Sequence, residues 1–327
     1  MRDMTLKVHR RRRFQRAGFA GLAVLAASCT PNGDDDRFIL RAPPKAKDAN
    51  NSQLPSPGYS PTPGQDQVAS AISDPTCRLG PRIQAAQANA QGYRSLAWSP
   101  FGRPEQGWET YYRLISREIG SSCPPESPGF ADALARWQAN HQLPQTGVVE
   151  PALFQRMKTE WQLKRPVVRS MRSQGCPPPP PDSALATARP DESYGGKTIQ
   201  IRANALAAYR RMVQAAKAEQ PQIAKDARNL TIFSGYRSPE YDAARCQRDQ
   251  NCNGIVRATC SPHRTGLAMD IYVGQAPGFG PDSSADPNRL FMTKTATYAW
   301  LTANAHRFGF VNYPFEPWHW EWSGEAP

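Results

Sequence analysis

The chain lacks several things that would direct a functional reading elsewhere. None of its cysteines form a Cys-x-x-Cys pair, which argues against a cysteine metal site. Beyond the first residues no basic run is interleaved with aromatics, which argues against nucleic acid as a partner. The most apolar stretch near the N-terminus, residues 17–27, is too short to span a bilayer as a mature helix. Helical and strand patterns do not alternate in a regular βαβ rhythm, so a doubly wound parallel sheet is not expected. Histidine is scarce, with 5 in 327 residues. Apolar residues make up 39%, a low share that still suffices for a core. Proline, by contrast, is abundant at 32, and it clusters outside the segments that look folded.

The net charge is +12, and seven Arg or Lys against one Asp fall within the first 28 residues, so about +6 remains beyond them. A modest positive charge suits an anionic cell-wall polymer or lipid surface. Arg10 to Arg13 with Arg16, then the apolar stretch, read as an export leader over residues 1–28. It ends in Leu25-Ala26-Ala27-Ser28-Cys29. Small residues before a cysteine resemble a bacterial lipobox, which implies lipidation of Cys29 and a membrane anchor facing the periplasm; an ordinary secretory cleavage site is the alternative. Arg11-Arg12-Arg13-Phe14 also resembles a twin-arginine signal, although a plain basic leader explains it equally. Export predicts an oxidising compartment, and the six further cysteines (77, 123, 176, 246, 252 and 260) fit three disulfides. Cys77 with Cys123 is the favoured pair, and the other four are expected to staple the C-terminal domain.

Composition divides the remainder. Residues 29–74, rich in Pro, Asn, Ser, Gly and Asp, read as a disordered tether. Residues 75–170 carry apolar positions at helical spacing, with a helix, a turn and a second helix between 130 and 154; Leu134, Trp137, Leu143, Val148, Leu153 and Phe154 are its expected core. This stretch resembles the three-helix peptidoglycan-binding domain found on wall hydrolases, the plainer alternative being a helical spacer. Residues 171–194, with five consecutive prolines, form a connector. Residues 195–327 mix helices (203–219, 239–247, 295–307) with strands (230–233, 267–273, 310–313, 318–322). The expected class is α+β: a small, mostly antiparallel sheet flanked by helices, preceded by a small helical domain.

Chemistry concentrates in two segments, Ser261-Pro262-His263-Arg264-Thr265-Gly266-Leu267-Ala268-Met269-Asp270 and Glu316-Pro317-Trp318-His319-Trp320. Two imidazoles and a carboxylate can hold Zn²⁺ and leave a position for water, and a glutamate off the metal can move the proton. Gly266 lets the chain turn so that Asp270, seven residues after His263, returns to the same cleft. Glu316 and His319 would face opposite sides of a straight strand, so Pro317 implies a turn or bulge. Arg237, in Ser234-Gly235-Tyr236-Arg237-Ser238 after a strand, suits a developing negative charge or a substrate carboxylate. Ser261 could hydrogen-bond substrate or cap a turn. His141 and His306 read as structural.

These residues resemble the zinc D-alanyl-D-alanine carboxypeptidases related to the vancomycin-resistance peptidases, whose pattern Ser-x-His-x-x-Gly-x-Ala-x-Asp followed by Glu-x-Trp-His is matched at Ser261, His263, Gly266, Ala268, Asp270, Glu316, Trp318 and His319. The resemblance covers about residues 195–323. It implies that His263, Asp270 and His319 bind zinc, that Glu316 is the general base, and that Arg237 stabilises the transition state or grips substrate. The implied substrate is a peptidoglycan stem peptide cut at its terminal D-Ala-D-Ala bond. Three cysteines between 246 and 260 depart from the pattern and leave a cross-link endopeptidase open. A non-catalytic wall-binding lipoprotein is the alternative of another class.

Overall fold

The computed structural model describes residues 75–248, 250 and 260–327. The stretch read as an export leader, Cys29, the expected tether at 29–74 and Cys252 lie outside the described residues. Everything described falls within one compact unit, and its mixture of helices and small antiparallel sheets is the α+β class expected from the sequence.

The helical part contains α1 (Pro75–Arg78), α2 (Ile83–Ser95), α3 (Tyr112–Glu118), α4 (Pro128–Asn140), α5 (Pro151–Lys164) and α6 (Pro166–Ser173), with a two-stranded pair, β1 (Ala97–Trp98) and β2 (Glu105–Gln106). Ser127 starts α4 by accepting a hydrogen bond from the Phe130 amide, and Pro128 occupies its first turn, where a missing N–H costs nothing. Leu134, Trp137, Leu153 and Phe154 enter the aromatic core as expected, and Leu143 packs on its edge. Val148 does not; its neighbour Val149 is the buried one, because the turn before α5 places the valine pair one residue out of the phase assumed. His141 ends α4 and stacks on Trp137. Cys77 and Cys123 are bonded, as favoured above.

The C-terminal part adds β3 (Leu185–Thr187) paired with β4 (Gln200–Arg202), α7 (Ala203–Glu219), α8 (Pro221–Ala224), β5 (Ile232–Ser234), α9 (Pro239–Arg248), β6 (Ala268–Ile271), α10 (Asp286–Lys294), α11 (Ala296–Asn304), β7 (Phe310–Tyr313) and β8 (Glu316–Trp322). Four strands form one antiparallel sheet in the order β5-β6-β8-β7. Helix α7 buries Ala205, Leu206, Tyr209, Met212 and Ala216 at helical spacing, and these pack with Ile232, Met269, Ile271 and Trp320 of the sheet. Cys176, among the prolines, is bonded to Cys260 just before Ser261; Cys246 of α9 is disulfide-bonded too.

The two parts share packing. Tyr313 and Phe315, flanking the β7–β8 turn, belong to the aromatic core of the helical part beside Phe101, Tyr111 and Phe154. Burying an aromatic side chain stabilises by about 1.5–3 kcal/mol, so this turn is strongly held. Arg289 of α10, fully buried, donates to the Phe315 carbonyl (2.8 Å) and the Tyr111 hydroxyl (2.6 Å) and pairs with Glu105 (3.1 Å). Arg103 pairs with Asp286 beside it.

Candidate metal centre

His263, Asp270 and His319, far apart in sequence, are brought together by adjacent strands. Asp270 on β6 sits directly opposite His319 on β8, and residues on one face of paired strands lie about 4.5–5.5 Å apart at Cβ. His263 arrives from a short 3₁₀ turn, Pro262–Thr265, closed by Gly266 at φ 68°; that left-handed conformation suits glycine. One nitrogen from each histidine and one Asp270 oxygen all lie within 4.8 Å of one another, and all three residues are buried. The expected convergence of these residues is therefore seen.

Hydrogen bonds fix which atoms face inward. His263 Nδ1 lies 2.8 Å from the Gly235 carbonyl, to which it can only donate. Its Nε2 is then a lone pair, 3.3 Å from Asp270 Oδ2. Burial, with the Arg237 charge nearby, pushes His263 below its ordinary pKa and towards the neutral form. A buried lone pair facing a carboxylate oxygen is repulsive unless a cation lies between them. His319 hydrogen-bonds through Nδ1 to Asp270 Oδ1 (2.9 Å), and its Nε2 lies 3.4 Å from Glu321 Oε1 as a charge contact rather than a hydrogen bond. Burial opposes charge on Asp270, but the two imidazoles outweigh it and hold its carboxyl well below the usual range. Ligands about 2.0–2.2 Å from one tetrahedral zinc lie roughly 3.3 Å from each other. The 2.9 Å contact is to Asp270 Oδ1 and the 3.3 Å contact to Oδ2, so the fit rests on the donor set, two imidazoles and a carboxylate with ligand atoms within 4.8 Å of one another.

Glu316 and His319 reach the same side because β8 is irregular. Tyr313 pairs with Glu316 while the preceding Asn312 pairs with Trp320, so β8 bulges by several residues around Pro317, as the i,i+3 spacing required. Asn312 spans the bulge, donating to the Glu316 carbonyl (3.2 Å) and the His319 carbonyl (2.9 Å) and accepting from Tyr298 Oη (3.1 Å). Desolvation raises the Glu316 pKa; His319, Arg165 and Arg237 oppose the rise and Asp270 adds to it.

Arg237 is held on all its nitrogens: Nε on Asp242 (2.9 Å), Nη1 on Ser234 (2.7 Å) and Nη2 on Ser261 (2.9 Å). The Ser261 hydroxyl also caps the turn by accepting from the His263 amide (3.3 Å). Residues passed over in the sequence also shape the site, namely Glu321, Asn312, Asp242 and the Gly235 carbonyl. Glu321 was findable, since His319 and Glu321 are i and i+2 on a strand and share a face. Asn312 and Asp242 carry no such signal.

Residues 198–325 match the family model VanY, D-alanyl-D-alanine carboxypeptidase. The resemblance drawn from the two motifs is borne out over that segment. Among solved structures, the chain is similar to the LdcB LD-carboxypeptidase, whose structure is described as revealing the molecular basis of peptidoglycan recognition; identity is 28%, over 43% of this chain and 69% of that one, with a TM-score of 0.33. It is also similar to the vancomycin-resistance D,D-pentapeptidase VanY from a VanB-type cassette, solved with Zn(II), at 21% identity over 45% of this chain and 83% of that one, with a TM-score of 0.25. No curated protein matches.

Proposed function

We propose that this chain is a zinc-dependent peptidase acting on peptidoglycan stem peptides, a D-alanyl-D-alanine carboxypeptidase. The observation that carries the reading is the convergence of His263 Nε2, Asp270 and His319 Nδ1 on one buried point. Those residues would hold Zn²⁺, which supplies a water of lowered pKa and polarises the scissile carbonyl.

The chain's own groups then divide the work. Glu316 accepts a proton from the attacking water and returns it to the leaving amine; its raised pKa brings it nearer the working pH, where such transfer is efficient. Arg237, immobilised by three partners, presents a fixed positive charge to the developing oxyanion or to the terminal carboxylate of the stem peptide. Ser261 holds Arg237 in place and contributes a hydroxyl to the substrate side. The neutral His263 keeps its Nε2 lone pair available because its Nδ1–H is donated to the Gly235 carbonyl. In this reading the leader exports the chain, Cys29 carries a lipid anchor and the helical part binds the wall polymer.

The test is release of D-alanine from a purified pentapeptide, followed by mass spectrometry of muropeptides. A chelator abolishes release and added zinc restores it; release that survives chelation overturns the metal reading. Glu316→Gln retains zinc and loses turnover by a factor of about 10²–10⁴, and normal turnover rules out that base. Cleavage of cross-linked dimers but not pentapeptide assigns the endopeptidase instead.

A further inference from the structure

Arg165 stands in the break between α5 and α6, in extended conformation ahead of Pro166, as the residue before a proline prefers. It belongs to the helical part and is 0% exposed. Its guanidinium lies 4.3 Å over the Tyr313 ring, and Nη1 donates to Gln162 Oε1 at 2.6 Å. Nε donates to Glu321 Oε1 at 2.6 Å, with Nη2 on the same oxygen at 2.5 Å. The other carboxylate oxygen, Glu321 Oε2, accepts the Val167 amide in the first turn of α6 (3.3 Å). Glu321 Oε1 in turn lies 3.4 Å from His319 Nε2. A contiguous row of buried groups thus runs from the helical part to an imidazole of the site.

The direction of this row has a chemical consequence. His319 can offer Nδ1 as a lone pair only if its proton resides on Nε2. A carboxylate beside Nε2 favours that tautomer and orients the ring, as outer partners of ligating histidines do. Glu321 is itself a buried anion, and a buried charge is tolerated only when paired. Arg165 and the Val167 amide are its other partners.

Resting on the metal reading above, we infer that Arg165 is a positioning residue of the metal site: through Glu321 it sets the tautomer and orientation of His319, so the helical part completes the site as well as flanking it.

The test uses the full mature chain, with zinc affinity measured by competition with a chromophoric chelator. Alongside it, thermal unfolding of the zinc-free protein is recorded. Arg165→Met weakens zinc binding by about 10–100-fold, and Arg165→Lys restores part of the affinity. A purely structural role would lower the unfolding temperature while leaving affinity unchanged, which overturns the inference. If Arg165→Met does not fold, the isosteric Glu321→Gln decides: zinc affinity within twofold of wild type overturns it, a loss of tenfold or more supports it. His263→Ala separates the two readings. Equal and weak zinc binding by wild type and His263→Ala sinks the metal site itself, whereas tight binding by wild type and by Arg165→Met, with loss only in His263→Ala, sinks the role of Arg165 alone.

Discussion

Arg237 is the residue whose environment says most about its work. Three acceptors consume part of its donor capacity and fix its plane. A lysine retains the charge but offers no rigid fork. Arg237→Lys is therefore expected to lower kcat/KM for D-alanine release by about 10²–10³-fold with zinc affinity unchanged, checked by steady-state kinetics and chelator competition. Glu192 offers a pH prediction away from the site. It is 6% exposed; burial opposes its charge, but Arg210 (2.7 and 2.9 Å) and the Arg189 amide (2.8 Å) outweigh burial and lower its pKa. A depressed folded-state pKa contributes stability above the unfolded value, about 4.3, that is lost as pH falls through the folded value. Glu192→Gln should cost about 1–2 kcal/mol at neutral pH, and the difference from wild type should shrink below about pH 4, as urea titrations at several pH values would show. The residues that converge at the candidate metal centre were legible because zinc chemistry admits few residue types and the two motifs concentrate them. Arg165 was not: a buried arginine is recognised by what it meets 156 positions away, and nothing local marks it.

Among elements, β8 determines the site's geometry. Its departure from regular pairing lets two residues three apart serve one cleft, and Asn312 bridges the ends of that departure. Asn312→Leu removes both donors and leaves two carbonyls and the Tyr298 hydroxyl short of partners. A loss of about 1–3 kcal/mol, or some 2–6 °C in melting temperature for a chain of this size, is expected together with a fall in kcat of at least tenfold; calorimetry and product release check the two. The β5 end is equally constrained. A Cβ on Gly235 would meet the Gln200 carbonyl at 2.5 Å, so glycine allows the close approach that sets the carbonyl against His263. The need for a bulge could be read from Glu316-Pro317-Trp318-His319, since i and i+3 cannot share a strand face. Which residue holds it open could not, because Asn312 lies on the neighbouring strand. Helix α7 was legible to its ends, 203–219, since its apolar stripe is long and regular. Helix α10 was passed over because Asp286-Pro287-Asn288 resembles a turn as much as a helix start.

For the whole molecule, composition suggested a helical part, a proline-rich connector and a zinc domain as a series. Packing links the first and last closely. The β7–β8 turn inserts Tyr313 and Phe315 into the helical core, and Arg289 and Arg165 form buried polar contacts across the same boundary. Residues 75–327 should therefore unfold in one calorimetric transition, with van't Hoff and calorimetric enthalpies that agree; two resolved transitions would show that the parts are energetically independent. The α+β class and the four strands of the main sheet were readable, whereas the short pairs β1–β2 and β3–β4 were passed over. The shared core was not, because Phe101 and Phe315 look like ordinary core residues of whichever part contains them.

The Arg165–Glu321 pair also bears on how such a chain can change over generations. A wall hydrolase is easily imagined as a cassette, its catalytic half recombined with one attachment module after another. Here a crossover within the prolines at 177–181 would deliver the C-terminal half without the cation that faces Glu321. The incoming module would have to bring an arginine to the same spot, or the recipient would have to lose the glutamate in the same step. Arg165 and Glu321 should thus be inherited together, as a lock that makes this particular joint hard to shuffle.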